Sequence, residues 1–249
     1  GRAVALGRVP PPGPAVLIVG DSVPRRLDSD LAAAADRQGW WAVNAAHGGC
    51  PVTGERIVYP SGRDLAGGRS CGVVVTEQRA AVVATGADVV VWWDRFSIAD
   101  VMVGGKHLTA GSRAFWRHRE RALASAVARL SGGGARVLLV GVEPPGRGIA
   151  TRCSPKACDP WLRRQVNGYS TITKRWNTMM QRYAATHPAV ARFVSLTPTI
   201  CKADTSPCDD RRDGIKARPD GTHYWGPGST RVSRAILAAV VAARPSSGA

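Results

Sequence analysis

Five short apolar runs, spaced so that a helix fits between most of them, constrain this chain more than any other feature of its sequence. They are Ala15 to Val19, Trp41 to Ala45, Ala87 to Trp93, Ala135 to Val140 and Arg192 to Leu196. A continuous apolar run bounded by turn residues suits a strand buried on both faces. Leu27 to Gln38, Val74 to Thr85, Ser112 to Leu130, Trp161 to Thr186 and Pro227 to Ala243 carry helix-compatible patterns. Strand and helix therefore alternate, which predicts a three-layer α/β/α sandwich with a mostly parallel five-stranded sheet. Ligands of such sheets bind at the carboxyl ends of the strands, so the loops after Val19, Asn44 and Trp93 are where function is expected.

The chain has 249 residues, enough for one sizeable α/β domain, and no linker-like stretch divides its middle. The expected organisation is a proline-rich linker over residues 1–14, a single domain over 15–243 and a disordered tail over 244–249. No run of about 18 apolar residues is present to span a membrane. The formal charge of +16 could mark an anionic partner. The basic residues are dispersed, however, and no nucleic-acid-binding motif accompanies them, so nucleic acid is not the expected partner.

Six cysteines, none in a Cys-x-x-Cys pair, fit disulfides better than a zinc site and imply an extracytoplasmic compartment. Six cysteines allow many pairings, and sequence does not fix the choice. Loop closure favours neighbours, which suggests Cys153 with Cys158, Cys201 with Cys208 and, by elimination, Cys50 with Cys71.

Two short stretches carry chemistry. In "AVLIVGDSVPRRL", Gly-Asp-Ser follows the first apolar run, so Ser22 sits at a strand-to-helix turn with Pro24 in the first helical turn. A serine there can be an N-cap. The same position also aims a hydroxyl at the carboxyl edge of the sheet, where it could serve as a nucleophile. In "RPDGTHYWGPGS", between the last strand and the terminal helix, Asp220 and His223 lie three residues apart. That spacing in a loop can set imidazole beside carboxylate, so that the acid orients one ring nitrogen while the other faces outward. Separately, Asp220 would read as a turn residue before Gly221 and His223 as a surface histidine. Together they supply the base that a serine nucleophile needs.

Gly-Asp-Ser after strand one, a glycine in the loop after strand two and Asp-x-x-His before the last helix resemble the SGNH (GDSL-like) hydrolase superfamily. The resemblance implies a flavodoxin-like fold with Ser22 as nucleophile, His223 as base and Asp220 as its orienting acid. It also implies an oxyanion hole formed by the Ser22 backbone N–H, a loop glycine and an asparagine side chain, with no metal and no cofactor. In "NAAHGGCP", Gly49 matches the family's glycine by its distance from Asn44, with Gly48 as the fallback. The chain departs from the pattern in its third block, "VVVWWDRFSIAD", which contains no asparagine. Arg95 or Ser97 could supply the third donor, with Asp94 and Ser97 also candidate substrate contacts. Alternatively, the two backbone donors suffice and Asp94 and Arg95 form a surface ion pair.

More narrowly, the chain is similar to the SGNH domains carried at the C-terminus of membrane-bound family-three acyltransferases of actinobacteria. That similarity implies an extracytoplasmic domain, tethered in the full-length protein to a membrane-embedded acyltransferase domain. Its partners would be an acyl donor and a cell-envelope glycan acceptor. Hydrolysis by a carbohydrate O-deacylase uses the same triad, and a silent glycan-binding domain is the reading that the missing asparagine favours. Of the other residues near the predicted site, His47 reads as a substrate contact or a solvated loop histidine. Trp225 is the tryptophan best placed to stack on a sugar ring.

Overall fold

The computed structural model describes residues 13–65, 70–153 and 158–244. In chain order its elements are β1 (Ala15–Gly20), α1 (Ser22–Arg25), α2 (Asp28–Asp36), β2 (Trp41–Asn44), β3 (Arg56–Val58), α3 (Gly72–Thr85) and β4 (Val89–Trp93). There follow β5 (Asp100–Val103), β6 (Lys106–Leu108), α4 (Arg113–Leu130), β7 (Arg136–Val140), α5 (Pro160–Asn167), α6 (Lys174–Thr186) and β8 (Ala191–Val194). The chain ends with α7 (Thr197–Ile200), β9 (Arg211–Arg212), β10 (Ile215–Lys216) and α8 (Pro227–Ala243).

The five apolar runs become the five strands of one parallel sheet in the order β2-β1-β4-β7-β8. Their side chains alternate between two cores. Val16, Ile18, Val89 and Val91 join Leu31 of α2 and Val232, Ile236 and Val240 of α8 on one face. Leu17, Val19, Val90 and Trp92 join α3, α4 and α6 on the other, through Ala81, Phe115, Leu123 and Trp176. The fold is thus a three-layer α/β/α sandwich, and strands apolar on both faces are what such a sheet requires. The strand order reverses between β1 and β4, the switch point where open α/β sheets leave a crevice for ligands. Gly20 at the end of β1 pairs with Trp93 at the end of β4. A Cβ at Gly20 would stand 1.9 Å from the Trp93 carbonyl oxygen, so the approach of these two strand ends needs a glycine.

Some expectations change. The single helix expected over Trp161 to Thr186 is two, joined by a wider turn over Tyr169–Thr173. Gly168 and the β-branched run Thr171, Ile172 and Thr173 are poor helix formers, and they fall at the break. An antiparallel sheet in the order β3-β5-β6 was not anticipated. Its β5–β6 turn is Gly104–Gly105, both at positive φ, the glycine pair that two-residue hairpins favour. Residues 1–12 and 245–249, where most of the linker and tail was expected, lie outside the described residues. Arg244, placed in the tail by sequence, caps the end of α8 and sets its guanidinium 5.7 Å from the Trp40 ring centroid. The three disulfides are Cys50–Cys71, Cys153–Cys158 and Cys201–Cys208.

Candidate active site

At the carboxyl end of β1 the backbone turns directly into α1. Asp21, not Ser22, is the N-cap: its Oδ1 accepts from the Val23 N–H at 2.8 Å. Its Oδ2 accepts from the Arg95 N–H at 2.7 Å, which ties the loop after β1 to the loop after β4. With the cap supplied by its neighbour, Ser22 keeps its hydroxyl for other partners. Burial, with Asp94 close by, raises the Asp21 carboxyl to about 7, although both N–H donors favour its charged form.

The structure brings Ser22, His223 and Asp220 together across 201 residues of sequence. His223 Nδ1 lies 2.7 Å from Asp220 Oδ2. A carboxylate can only accept, so Nδ1 carries the proton and Nε2 is left as the acceptor for the Ser22 hydroxyl, 3.0 Å away. The other Asp220 oxygen accepts from the N–H groups of Thr222 at 2.9 Å and His223 at 2.7 Å, which closes the loop around the acid. Burial by itself would raise the Asp220 carboxyl. Hydrogen bonds from the His223 ring and the two backbone donors outweigh it and hold the group well below the usual carboxylate range.

Gly221 lets this loop dock. It has φ +78°, and a Cβ there would stand 2.2 Å from the Ile149 N atom. Beneath the loop, Arg218 is completely buried and bonded to the Pro144 carbonyl at 2.8 Å and to Asp210 Oδ2 at 3.3 Å. Its guanidinium also touches the Cys201–Cys208 disulfide, 3.1 Å from Cys208 Sγ. Tyr224, next to His223, donates to Glu143 Oε1 at 3.1 Å.

Opposite the triad lies the loop after β2. A Cβ built on Gly48 would stand 3.9 Å from Ser22 Cβ, so Gly48, the fallback in the sequence reading, borders the serine. Gly49 follows at φ +83°, and the Cys50–Cys71 disulfide then fastens the loop to the start of α3. Among the described residues, the backbone N–H groups of Ser22, Gly48 and Gly49 donate no hydrogen bond. The His47 N–H donates to the Gly20 carbonyl at 2.7 Å, while its buried Nδ1 has no partner among the described residues. Trp225 is 55% exposed at the rim of the loop bearing Asp220 and His223.

The third block differs from expectation. Asp94 and Arg95 are not a surface pair, because both are buried and the acid partner of Arg95 is Glu143. Arg95 Nη1 lies 3.4 Å from Glu143 Oε2, Nη2 is 3.1 Å from the Glu143 carbonyl and Nε is 3.1 Å from Gln165 Oε1. The guanidinium is thereby engaged inside the protein and makes no described contact with Ser22. Burial lowers the Arg95 pKa, and Glu143 opposes that shift. Asp94 accepts from Trp92 Nε1 at 2.6 Å, Val52 N at 3.0 Å and both the N–H and hydroxyl of Ser97, at 2.7 and 3.0 Å. Asp94 and Ser97 therefore organise the loop after β4, and both are buried. Sequence reading missed Asp21 as the cap, and Glu143, Gln165, Arg218 and Tyr224 altogether. Glu143 sits in "GVEPPGRG", which gives no local sign of burial.

Comparisons with known proteins agree with this architecture. A putative acylhydrolase from Bacteroides fragilis superposes with TM-score 0.60 at 12% identity, covering 94% of this chain and 92% of its own. The periplasmic domain of a lipopolysaccharide acetyltransferase from Salmonella ser. Paratyphi A gives TM-score 0.59 at 14% identity, covering 92% and 84%. A GDSL-like lipase from Bacteroides thetaiotaomicron gives TM-score 0.57 at 12% identity, covering 92% and 88%. Likeness at such identities speaks to the fold. No curated protein sequence matches the chain significantly. The model for the SGNH domain (fused to AT3 domains) matches residues 4–238, so this chain belongs to that family.

Proposed function

We propose that this domain performs serine-dependent acyl transfer on cell-envelope glycans, on the outer side of the membrane and tethered to a membrane-embedded acyltransferase domain. The observation that carries the chemistry is the hydrogen-bonded chain from Ser22 Oγ through His223 to Asp220, at 3.0 and 2.7 Å. His223 Nε2 takes the Ser22 proton as Oγ attacks an ester carbonyl, and the carbonyl electrons move to oxygen. The free N–H groups of Ser22 and of Gly48 or Gly49 would hold that oxyanion. Collapse expels the leaving alcohol, which receives the proton from His223 and leaves an acyl-serine. A sugar hydroxyl then attacks, giving its proton to His223; the bond to Ser22 Oγ breaks, Oγ takes that proton back, and the sugar departs acylated, while water in its place gives hydrolysis. Asp220 keeps the imidazole in the tautomer that accepts at Nε2 and stabilises the imidazolium.

The family's fusion to AT3 domains supports the membrane tether. Three disulfides suit an oxidising compartment, and no described helix is long and apolar enough to cross a membrane. The hydrogen-bonded Ser22–His223–Asp220 arrangement favours catalysis over a silent glycan-binding role. Mass spectrometry of the protein after exposure to aryl esters tests the reading. The expected result is one acyl group on Ser22, discharged faster when glycan acceptor is added, and none on Ser22→Ala. Unchanged ester turnover by Ser22→Ala or His223→Ala overturns it.

A further inference from the structure

The nucleophile has an uncompensated cation beside it. Ser22 and Arg25 are three residues apart in α1, so their side chains share one helical face. A Cβ built on Gly48 would stand 3.1 Å from Arg25 Nη1 and 3.9 Å from Ser22 Cβ, so guanidinium and serine border the same backbone. Three other arginines near the site are neutralised: Arg95 by Glu143, Arg218 by Asp210 and Arg152 by Asp220. Arg25 is exposed, and among the described residues its guanidinium has no carboxylate and no hydrogen-bond acceptor. On the adjoining rim, Arg26 sets its guanidinium 5.9 Å from the ring centroid of Trp225, the exposed tryptophan two residues beyond His223.

We propose that Arg25 is a specificity-determining residue that binds a carboxylate carried by the substrate close to the scissile ester carbonyl. A guanidinium matches a carboxylate through two parallel N–H donors, and an ion pair of that kind needs no partner from the protein. Trp225, 55% exposed on the adjoining rim, is placed to take the sugar ring. The inference rests on the acyl-transfer reading and adds the charge of the substrate to it. The carboxylate belongs either to a short dicarboxylic acyl chain or to an acidic sugar of the glycan, and the two arms of the test separate these sources.

The first arm compares kcat/KM for an aryl acetate with that for the aryl half-ester of succinic acid. The second compares an O-acetylated neutral oligosaccharide with an O-acetylated uronic acid oligosaccharide. The charged member of one pair is expected to be favoured about tenfold, the size of one charge-assisted hydrogen bond at an exposed site. Added salt should shrink that preference, because exposed charges are screened. Arg25→Gln should abolish it and Arg25→Lys restore part of it, while Arg182→Gln, on the exposed side of α6, should leave it intact. Preference in the first arm assigns the charge to the acyl group, and preference in the second assigns it to the sugar. Equal rates within both pairs for the wild-type protein overturn the proposal. So does an equal loss on charged and neutral esters in Arg25→Gln, which would place the guanidinium on the oxyanion common to all of them. A wild-type protein that forms no acyl-Ser22 with any ester fails at the earlier step and overturns the acyl-transfer reading, with this proposal falling as its consequence.

Discussion

Replacing Arg95 by Met separates two roles for one of the two residues that could stand in for the asparagine missing from the third block. As an oxyanion donor its loss would slow acylation by about 10²-fold and leave the fold alone. Its actual surroundings point to a different outcome. The Arg95 and Glu143 side chains are 4% and 0% exposed, and the guanidinium also serves the Glu143 carbonyl and the Gln165 amide. Met would leave the Glu143 carboxylate buried with the Tyr224 hydroxyl as its remaining described donor. Removing one member of a buried ion pair costs about 3–5 kcal/mol, because the partner charge stays behind without compensation. In a domain of this size each kcal/mol moves the thermal midpoint by about 2–4 °C, so Tm should fall by roughly 10 °C. Adding Glu143→Gln in the same chain removes the stranded charge, and its amide oxygen can still accept from Tyr224, so much of the loss should return. Thermal unfolding followed by circular dichroism, alongside the rate of Ser22 acylation well below the transition, reads both quantities. An unchanged Tm together with a 10²-fold slower acylation would refute this reasoning and return the guanidinium to the reacting carbonyl.

Four further outcomes follow from other parts of the structure. Asp21, raised to about 7, keeps its proton in the native state after the unfolded chain has released it at about 3.8. Its contribution to stability therefore declines as pH rises from about 4 to about 7, and Asp21→Asn should remove that slope from a series of Tm values. For Glu55, burial favours a higher pKa, but Arg119, His118 and Thr53 outweigh it and draw the carboxyl down to about 2. Stability from Glu55 is lost as pH falls from about 4.5 toward 2, and Glu55→Gln should flatten that acid limb. Replacing Cys50 and Cys71 by Ser opens a bridge of sequence separation 21 and should cost about 3 kcal/mol in denaturant titration. Acylation should slow as well, because the bridge fixes the loop containing Gly48. Gly221→Ala should lower kcat at least tenfold, because the new Cβ would force the loop bearing Asp220 and His223 away from Ile149; wild-type kcat would refute that dependence.

The hydrogen-bonded Ser22, His223 and Asp220 were legible because each sits in a turn with a strong local signature: Gly-Asp-Ser after an apolar run, and Asp-Gly-Thr-His before a helix opened by Pro227. The central strands were legible for a related reason, since β1 and β4 are apolar without interruption, β7 is apolar after Arg136, and none needs a partner to be recognised. What stayed hidden depends on partners distant in sequence. Arg95 and Glu143 are 48 residues apart, and Arg95 reaches Asp21 across 74, so each charged residue reads locally as a surface group. The β5–β6 hairpin was within reach, for "VMVGGKHL" carries a Gly-Gly turn between extended residues, but its strands are short and half-buried. Asp21 as cap was also within reach. Asp and Ser are comparable caps, and only the geometry of the turn decided that the carboxylate would take the Val23 N–H.

The separation of Ser22 from His223 by 201 residues gives the domain a temporal property. Ser22, the proposed nucleophile, follows the first strand, whereas His223, its proposed base, precedes the last helix, and α8 seats against α2 through Leu31, Val232 and Ile236 and a hydrogen bond from Thr230 to Asp30. Closing so long a span is entropically expensive and is repaid only by contacts made late in folding. A chain emerging from a ribosome or threading through a translocation channel can expose its serine, yet has no imidazole beside it until α8 docks. On the proposed acyl-transfer reading, acylating power therefore arises together with the finished tertiary structure, and an incomplete chain stays chemically inert toward the esters around it.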